Sequence, residues 1–237
     1  MPSLLRSFLH LTVLLGLTLS LSAKDASKVS GKHLFILSGQ SNMTGNVRNA
    51  FTDKVHDHFG EENAVVVMKM KSGRGIRFWV PDYNHPAKRG FRSNGEEYKP
   101  LIDAALAASK GKCFDTVGFV WMQGESDANN RLSEVYEVSF QKLIKQLKKD
   151  LGREDLYFVI GRINDYARSR PDNEHWKKVR EIQVTLGSTK GNAWIDTDDL
   201  NGGDANKPDG DIHFPKEGAN RVGQRFAEKA IQLIENR

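Results

Sequence analysis

A serine, a histidine and several acids stand in segments of the sequence that suit nucleophilic catalysis. The serine lies in Gly39-Gln40-Ser41-Asn42-Met43, directly after an apolar segment, and the histidine ends Asp209-Gly210-Asp211-Ile212-His213. A serine hydroxyl is a weak nucleophile until a base takes its proton, and an imidazole is the usual base. We therefore predict Ser41 as the nucleophile and His213 as the base.

Attack on a carbonyl also requires hydrogen-bond donors aimed at the oxyanion that forms. The backbone N–H of Ser41, the backbone at Gly73 and the side-chain amide of Gln123 are the candidates, and each follows a different apolar segment. Gln40 and Asn42, on either side of Ser41, are further candidates for binding the oxyanion or the substrate.

Each of these residues also has an ordinary structural explanation. A serine after a strand commonly caps a helix, and a histidine before a helix is commonly a surface or capping residue. Gln123 and Glu125, in Gln123-Gly124-Glu125-Ser126-Asp127, could simply satisfy backbone groups at a strand end. The combination argues for chemistry more strongly than any single member, because these segments meet only in one type of sheet.

The elements that must position these residues alternate along the chain. Short apolar segments predict strands, and amphipathic segments between them predict helices. The predicted strands are His33–Ser38, Ala64–Met70, Thr116–Met122, Leu156–Ile163 and Ala193–Asp196, and the predicted helices are Tyr98–Ser109, Val135–Leu151, Glu174–Leu186 and Lys216–Ile234. This alternation indicates a single α/β domain with a five-stranded parallel sheet covered on both faces. In such a sheet, functional residues lie at the carboxyl ends of the strands.

The composition excludes several classes of protein. The chain has 237 residues and a net charge of +5 without a long basic block, so we predict no nucleic-acid partner. One cysteine, Cys113, rules out an intramolecular disulfide framework and a cysteine-rich metal site. The oligomeric state stays open.

The N-terminus has the pattern of an export signal. Arg6 precedes the apolar segment Leu11–Leu21, and Leu21-Ser22-Ala23 ends in small residues. We expect residues 1–23 to be a secretory signal peptide and residues 24–237 to form the mature domain, secreted or periplasmic. The apolar segment is too short to span a bilayer, so we expect no stable membrane insertion after cleavage.

The motifs together resemble a known superfamily. Gly39-Gln40-Ser41-Asn42-Met43, Trp121-Met122-Gln123-Gly124-Glu125 and the terminal Asp-Ile-His are similar to those of SGNH hydrolases, closest to the sialate O-acetylesterase and family 6 carbohydrate esterase (acetylxylan esterase) group. The resemblance implies a three-layer flavodoxin-like fold and a serine esterase without metal or cofactor, acting on acetylated carbohydrate. It also implies Ser41 as nucleophile, His213 as base, and Ser41 N–H, Gly73 and Gln123 as oxyanion donors.

The acid that orients the histidine is open, because the chain departs from the family pattern. The family's acid usually stands three residues before the histidine, where this chain has Gly210. The candidates are Asp211, Asp209 and Glu125, and we favour Asp211 because related sequences often carry a second aspartate at that position. Many relatives also have histidine where this chain has Met122.

Two further functions compete with the carbohydrate esterase. One is a lipase, thioesterase or arylesterase of the same superfamily, which would need an apolar cleft for its acyl chain. The other is a non-catalytic carbohydrate-binding protein on the same scaffold, which would not need a nucleophile, a base and oxyanion donors together.

Other polar segments carry weaker signals. We predict His56-Asp57-His58 to be a solvated loop rather than a metal site, and the acidic stretch from Asp196 to Asp211 to be an ordinary loop or a weak ion site. Arg162 and Asn164 follow the fourth strand, where substrate contact and a structural role are equally compatible with the sequence.

Overall fold

The computed structural model of the chain describes residues 31–166, 171–203 and 210–237. The predicted signal peptide and Asp209 lie outside the described residues. The prediction of a single five-stranded parallel sheet is confirmed, and the structure gives the strand order β2-β1-β3-β4-β5. The strands are β1 (His33–Gly39), β2 (Ala64–Met70), β3 (Thr116–Met122), β4 (Tyr157–Gly161) and β5 (Ala193–Ile195).

Six helices accompany the sheet within the described residues. They are α1 (Gly45–Phe59), α2 (Tyr98–Ser109), α3 (Glu125–Asn129), α4 (Tyr136–Leu151), α5 (Glu174–Gly187) and α6 (Lys216–Glu235). Right-handed crossovers place α1 and α6 on one face of the sheet and α2, α4 and α5 on the other, which gives three layers. Where the structure describes the chain, no helix has the length and apolar character that crossing a bilayer requires.

The prediction of a solvated loop at His56-Asp57-His58 is wrong, because these residues form the last turn of α1. His56 Nε2 lies 3.0 Å from the carbonyl oxygen of Ala64, and His58 Nε2 lies 3.0 Å from a carboxylate oxygen of Glu235. The helical signal was present in the sequence. Four buried residues recur every four positions along this helix, which is a helical period: Val47, Phe51, Val55 and Phe59.

The two central strands, β1 and β3, are buried along their whole length. Their near-continuous apolar sequences are typical of strands covered on both faces. Trp121 is completely buried, with its ring 5.2 Å from that of Trp79 in an edge-on arrangement. Its indole N–H donates to the hydroxyl of Tyr136, which in turn donates to the carbonyl oxygen of Gln123. The core therefore fixes the point where β3 ends.

Helices α1 and α6 approach each other closely at Gly223. A Cβ atom placed on Gly223 would lie 2.3 Å from the carbonyl oxygen of Val47 and 3.0 Å from the Cβ of Ala50. Both neighbours belong to α1, and a backbone oxygen cannot rotate away. A glycine at this position is thus a packing requirement of the α1–α6 interface.

We expect Gly223→Ala to lower the free energy of unfolding by about 1–3 kcal/mol, because the methyl group forces the two helices apart. Gly45→Ala is the matched control, since nothing lies within 4 Å of its Cβ position. The control should be neutral or slightly stabilising. Urea unfolding of both variants tests this, and equal midpoints would contradict the packing argument.

Candidate active site

The loop that carries Ser41 begins where β1 comes close to the end of β3. Gly39 has φ +147°, and a Cβ atom there would lie 2.0 Å from the carbonyl oxygen of Met122. The same carbonyl accepts a hydrogen bond from the backbone N–H of Gln40 at 3.0 Å. Only glycine permits this approach, which aims the following residues out of the carboxyl edge of the sheet.

Ser41 is not the capping residue of α1. Thr44 holds that position, with its hydroxyl accepting a hydrogen bond from the backbone N–H of Val47 at 3.3 Å. The side chain of Ser41 instead meets the loop before α6, where its Oγ lies 2.9 Å from Nε2 of His213. This distance suits proton transfer from the hydroxyl to the imidazole. The structure thus removes the capping explanation and brings the predicted nucleophile and base together.

Asn42 holds the loop of His213 from inside. Its buried side chain donates from Nδ2 to the carbonyl oxygen of Ile212 at 2.8 Å, and its Oδ1 accepts from the backbone N–H of Phe214 at 3.3 Å. These two groups flank His213 on either side. Asn42, predicted to bind the oxyanion or substrate, therefore has its side-chain amide engaged by the loop that carries His213.

Glu125 contacts Asn42 in the structure. It is fully buried, and its Oε1 accepts from Nδ2 of Asn42 at 2.6 Å. Burial raises the pKa of its carboxyl from 4.5 to about 6, while hydrogen bonds from its own backbone, Asn42 and Gly124 oppose the shift. Glu125 thus contacts the side chain that bonds to the backbone on both sides of His213.

Gln123 joins three loops beneath the surface. Its fully buried amide donates from Nε2 to Oδ2 of Asp127 at 2.6 Å, to Oε1 of Gln40 at 3.1 Å and to the carbonyl oxygen of Arg74 at 3.3 Å. Gln40 Oε1 also accepts from the backbone N–H of Ser126. Since an amide nitrogen has only two hydrogens, oxyanion binding by Gln123 would require these bonds to open.

Asp127 positions the loop that contains Gly73, and the sequence reasoning assigned it no role. Its fully buried Oδ2 accepts from the backbone N–H of Ile76 at 2.8 Å, and burial raises the pKa of its carboxyl to about 6. Gly73 itself is exposed, with φ +71°. The available signal was the place of Asp127 on the first turn of α3, four residues after Gln123, because side chains at that spacing lie close together where the chain turns into a helix.

Two backbone N–H groups are the open candidates for binding an oxyanion. Among the described residues, neither Ser41 nor Gly73 donates its N–H to another main-chain group. Both follow strands at the carboxyl edge of the sheet, and Gly73 reaches α3 through its carbonyl oxygen, which lies 3.4 Å from Oγ of Ser126.

Asp211 precedes the histidine on the same loop. Its side chain is exposed, its backbone N–H donates to the carbonyl oxygen of Asn201, and its carbonyl oxygen accepts from Nδ2 of Asn164 at 3.1 Å. Asp209, the other aspartate considered, lies outside the described residues. The choice among Asp211, Asp209 and Glu125 as the orienting acid stays a prediction.

The acids after β5 are paired with arginines. Asp198 accepts hydrogen bonds from two guanidinium nitrogens of Arg180 at 2.7 and 2.8 Å, and Arg162 reaches the same carboxylate at 2.7 Å. Arg225 holds Asp199 with two bonds in the same way. This network gives Arg162 a structural role at the end of β4.

The buried carboxyl of Glu125 makes stability depend on pH. Because its folded pKa is raised from 4.5 to about 6, the stability it contributes is fully present below 4.5 and is lost as pH rises through 6. Replacing Glu125 with glutamine removes this dependence. We expect the unfolding free energy of Glu125→Gln, relative to wild type, to rise by on the order of 2 kcal/mol from pH 4.5 to pH 8.

Denaturant unfolding at several pH values measures this difference. Asp127 is present in both proteins, so the burial of its carboxyl is common to them. The exposed Glu154→Gln serves as the control for altered net charge. A difference between Glu125→Gln and wild type that is flat with pH would show that the Glu125 carboxyl titrates alike in the folded and unfolded chain.

One known protein family matches most of the chain. The family described as "Carbohydrate esterase, sialic acid-specific acetylesterase" matches residues 48–232, which include His213 and begin after Ser41. A comparison with curated proteins found no match.

Several solved structures share the fold. A protein from Arabidopsis thaliana has a TM-score of 0.62 at 17% identity, covering 87% of this chain and 99% of its own. Est24, a carbohydrate acetylesterase from Sinorhizobium meliloti, has a TM-score of 0.55 at 14% identity, covering 85% and 99%. An inhibitor-bound aryl esterase from M. smegmatis has a TM-score of 0.53 at 15% identity, also covering 85% and 99%.

Proposed function

The chain belongs to the sialic acid-specific acetylesterase family of carbohydrate esterases, and from this premise we propose that it is a serine esterase that removes O-acetyl groups from carbohydrate through an acetyl-serine intermediate. The observation that carries the proposal is the 2.9 Å separation of Ser41 Oγ and His213 Nε2 at the carboxyl edge of the sheet. The predicted signal at residues 1–23 supports action outside the cytoplasm, on extracellular or periplasmic glycans.

The reaction follows from the positions of these groups. His213 accepts the proton of Ser41 as Oγ attacks the acetyl carbonyl, and the backbone N–H groups of Ser41 and Gly73 stabilise the oxyanion. The tetrahedral intermediate collapses, and His213 returns the proton to the departing sugar alcohol. Water then attacks the acetyl-serine with His213 as base, which releases acetate and restores the serine.

The residues near the predicted oxyanion site favour a polar substrate. Arg74, beside Gly73, has a side chain that is 39% exposed, and its guanidinium lies 4.3 Å from the ring centre of Phe78. Ser126 and Asn130, on α3 and directly after it, add a hydroxyl and an amide. Hydrogen-bonding groups of this kind suit sugar hydroxyls better than a long acyl chain. They therefore support a carbohydrate esterase rather than a lipase.

We expect the purified protein to hydrolyse p-nitrophenyl acetate much faster than p-nitrophenyl octanoate, and Ser41→Ala to reduce that activity by more than about 10³-fold. The exposed Ser188→Ala, at the end of α5, is the matched control and should retain wild-type activity. Acetate release from acetylated xylan and from O-acetylated sialic acid then identifies the sugar. Preference for octanoate would favour the lipase function, and retained activity in Ser41→Ala would exclude the proposed nucleophile.

The orienting acid is tested by three amide substitutions. If Asp211 orients His213, Asp211→Asn should lower kcat by roughly 10³- to 10⁴-fold, because the imidazole loses the group that fixes its tautomer. Asp209→Asn and Glu125→Gln should then have much smaller effects on kcat. A larger loss in either of these two variants would transfer the role to that residue.

A further inference from the structure

Two buried asparagines, in the loops after two different strands, donate hydrogen bonds to the loop that carries His213. Asn42 follows β1, and Asn164 follows β4. Both donate from Nδ2 to the carbonyl oxygen of Ile212, at 2.8 Å from Asn42 and 3.3 Å from Asn164. Nδ2 of Asn164 also donates to the carbonyl oxygen of Asp211 at 3.1 Å. The base and the favoured acid thus share one anchoring side chain.

The surroundings of Asn164 leave it no freedom to turn toward a substrate. The residue is completely buried, and its Oδ1 accepts from the backbone N–H of Tyr166 at 3.2 Å. Its carbonyl oxygen accepts from the indole N–H of buried Trp176, on α5, at 2.7 Å. Directly before it, the backbone N–H of Ile163 donates to Oε1 of Gln183. Asn164 is therefore a fixed point rather than a substrate contact.

The peptide groups on both sides of His213 are pinned by these two side chains. Asn164 and Asn42 hold the carbonyl oxygen of the preceding peptide, and Asn42 also accepts from the N–H of the following peptide, at Phe214. Fixing both peptide planes fixes the backbone angles of the histidine, and with them the direction of the Cα–Cβ bond from which its imidazole extends. That direction matters because a misplacement of about 1 Å can reduce a reaction rate by about 10²-fold.

We propose that Asn164 is a positioning residue for the reaction, which holds the Asp211–His213 segment so that Nε2 of His213 stays within reach of Ser41 Oγ. The inference rests on the proposed esterase function. Without Asn164, Asn42 still anchors the carbonyl oxygen of Ile212, but the carbonyl oxygen of Asp211 loses the hydrogen bond from Asn164.

The test is Asn164→Ala, assayed on p-nitrophenyl acetate well below its unfolding temperature. We expect kcat to fall about 10- to 100-fold with KM changed less than about threefold, because the acyl-binding surface is untouched while the base is misplaced. Asn192→Ala is the matched control. Asn192 is also a structural asparagine, bonded through Oδ1 to the backbone N–H of Phe158 near the start of β4, at the opposite edge of the sheet. It should lower stability without lowering kcat.

A double-mutant cycle separates positioning from general loosening of the fold. In a His213→Ala background, Asn164→Ala should have no further effect on the residual kcat, because its influence passes through the histidine. An effect of the same size in both backgrounds, or a wild-type kcat in the single variant, would overturn the inference. If Asn164→Ala does not fold, Asn164→Ser, which retains a hydroxyl donor, undergoes the same cycle.

The outcomes for this inference and for the proposed function are distinguishable. Wild-type activity in both Ser41→Ala and His213→Ala would remove the proposed function itself. Inactive Ser41→Ala and His213→Ala proteins beside a fully active Asn164→Ala would remove only the positioning role.

Discussion

Hydrogen bonds from buried carboxamide side chains to loops that are distant in sequence organise the carboxyl edge of the sheet. Leaving a buried donor or acceptor unpaired costs about 1–3 kcal/mol, so each amide keeps in place the loops that satisfy it. Asn42 ties the loop after β1 to both sides of His213, and Gln123 ties the end of β3 to Gln40 and Arg74. The hydrogen bond between Ser41 and His213 is more exposed and competes with water. The more buried bonds of Asn42 therefore keep the two loops that carry Ser41 and His213 in place.

The same region contains two buried carboxyl groups, which are expensive to place there. Burial raises the pKa of both Glu125 and Asp127 to about 6, because it keeps water from the ionised carboxylate and so disfavours the charged form. Their partners explain their presence, since Glu125 steadies the amide of Asn42 and Asp127 holds the backbone of Ile76 in the Gly73 loop. Burying these two carboxyl groups lowers the stability of the fold, while their hydrogen bonds fix the geometry of this edge. Carboxyl groups with shifted pKa values are common at functional sites.

Sequence reasoning succeeded where the signal was local and missed what depended on context. The five strands were predictable from short apolar segments, and the meeting of Ser41 with His213 followed from the rule that parallel strands gather their loops at one edge. Helix α1 was missed because the polar segment His56-Asp57-His58 was interpreted as a solvated loop, although Val47, Phe51 and other apolar residues already repeat at the helical period. Gln123 was predicted to bind the oxyanion, and nothing in the sequence indicated that its amide nitrogen also lies near acceptors of Gln40, Arg74 and Asp127.

The sequence by itself determined the fold class, the order of the strands along the chain and the family, because periodicity and short motifs are properties of neighbouring residues. The tertiary structure alone decided which polar side chains face inward. Asn42, Gln123 and Asn164 are each compatible with a surface or a buried position when read along the chain. Each has hydrogen-bond partners that are distant in sequence, up to 172 residues away for Asn42 and Phe214, and only the packed sheet brings those groups within reach. The roles of these amides are therefore set by long-range packing, which no local pattern records.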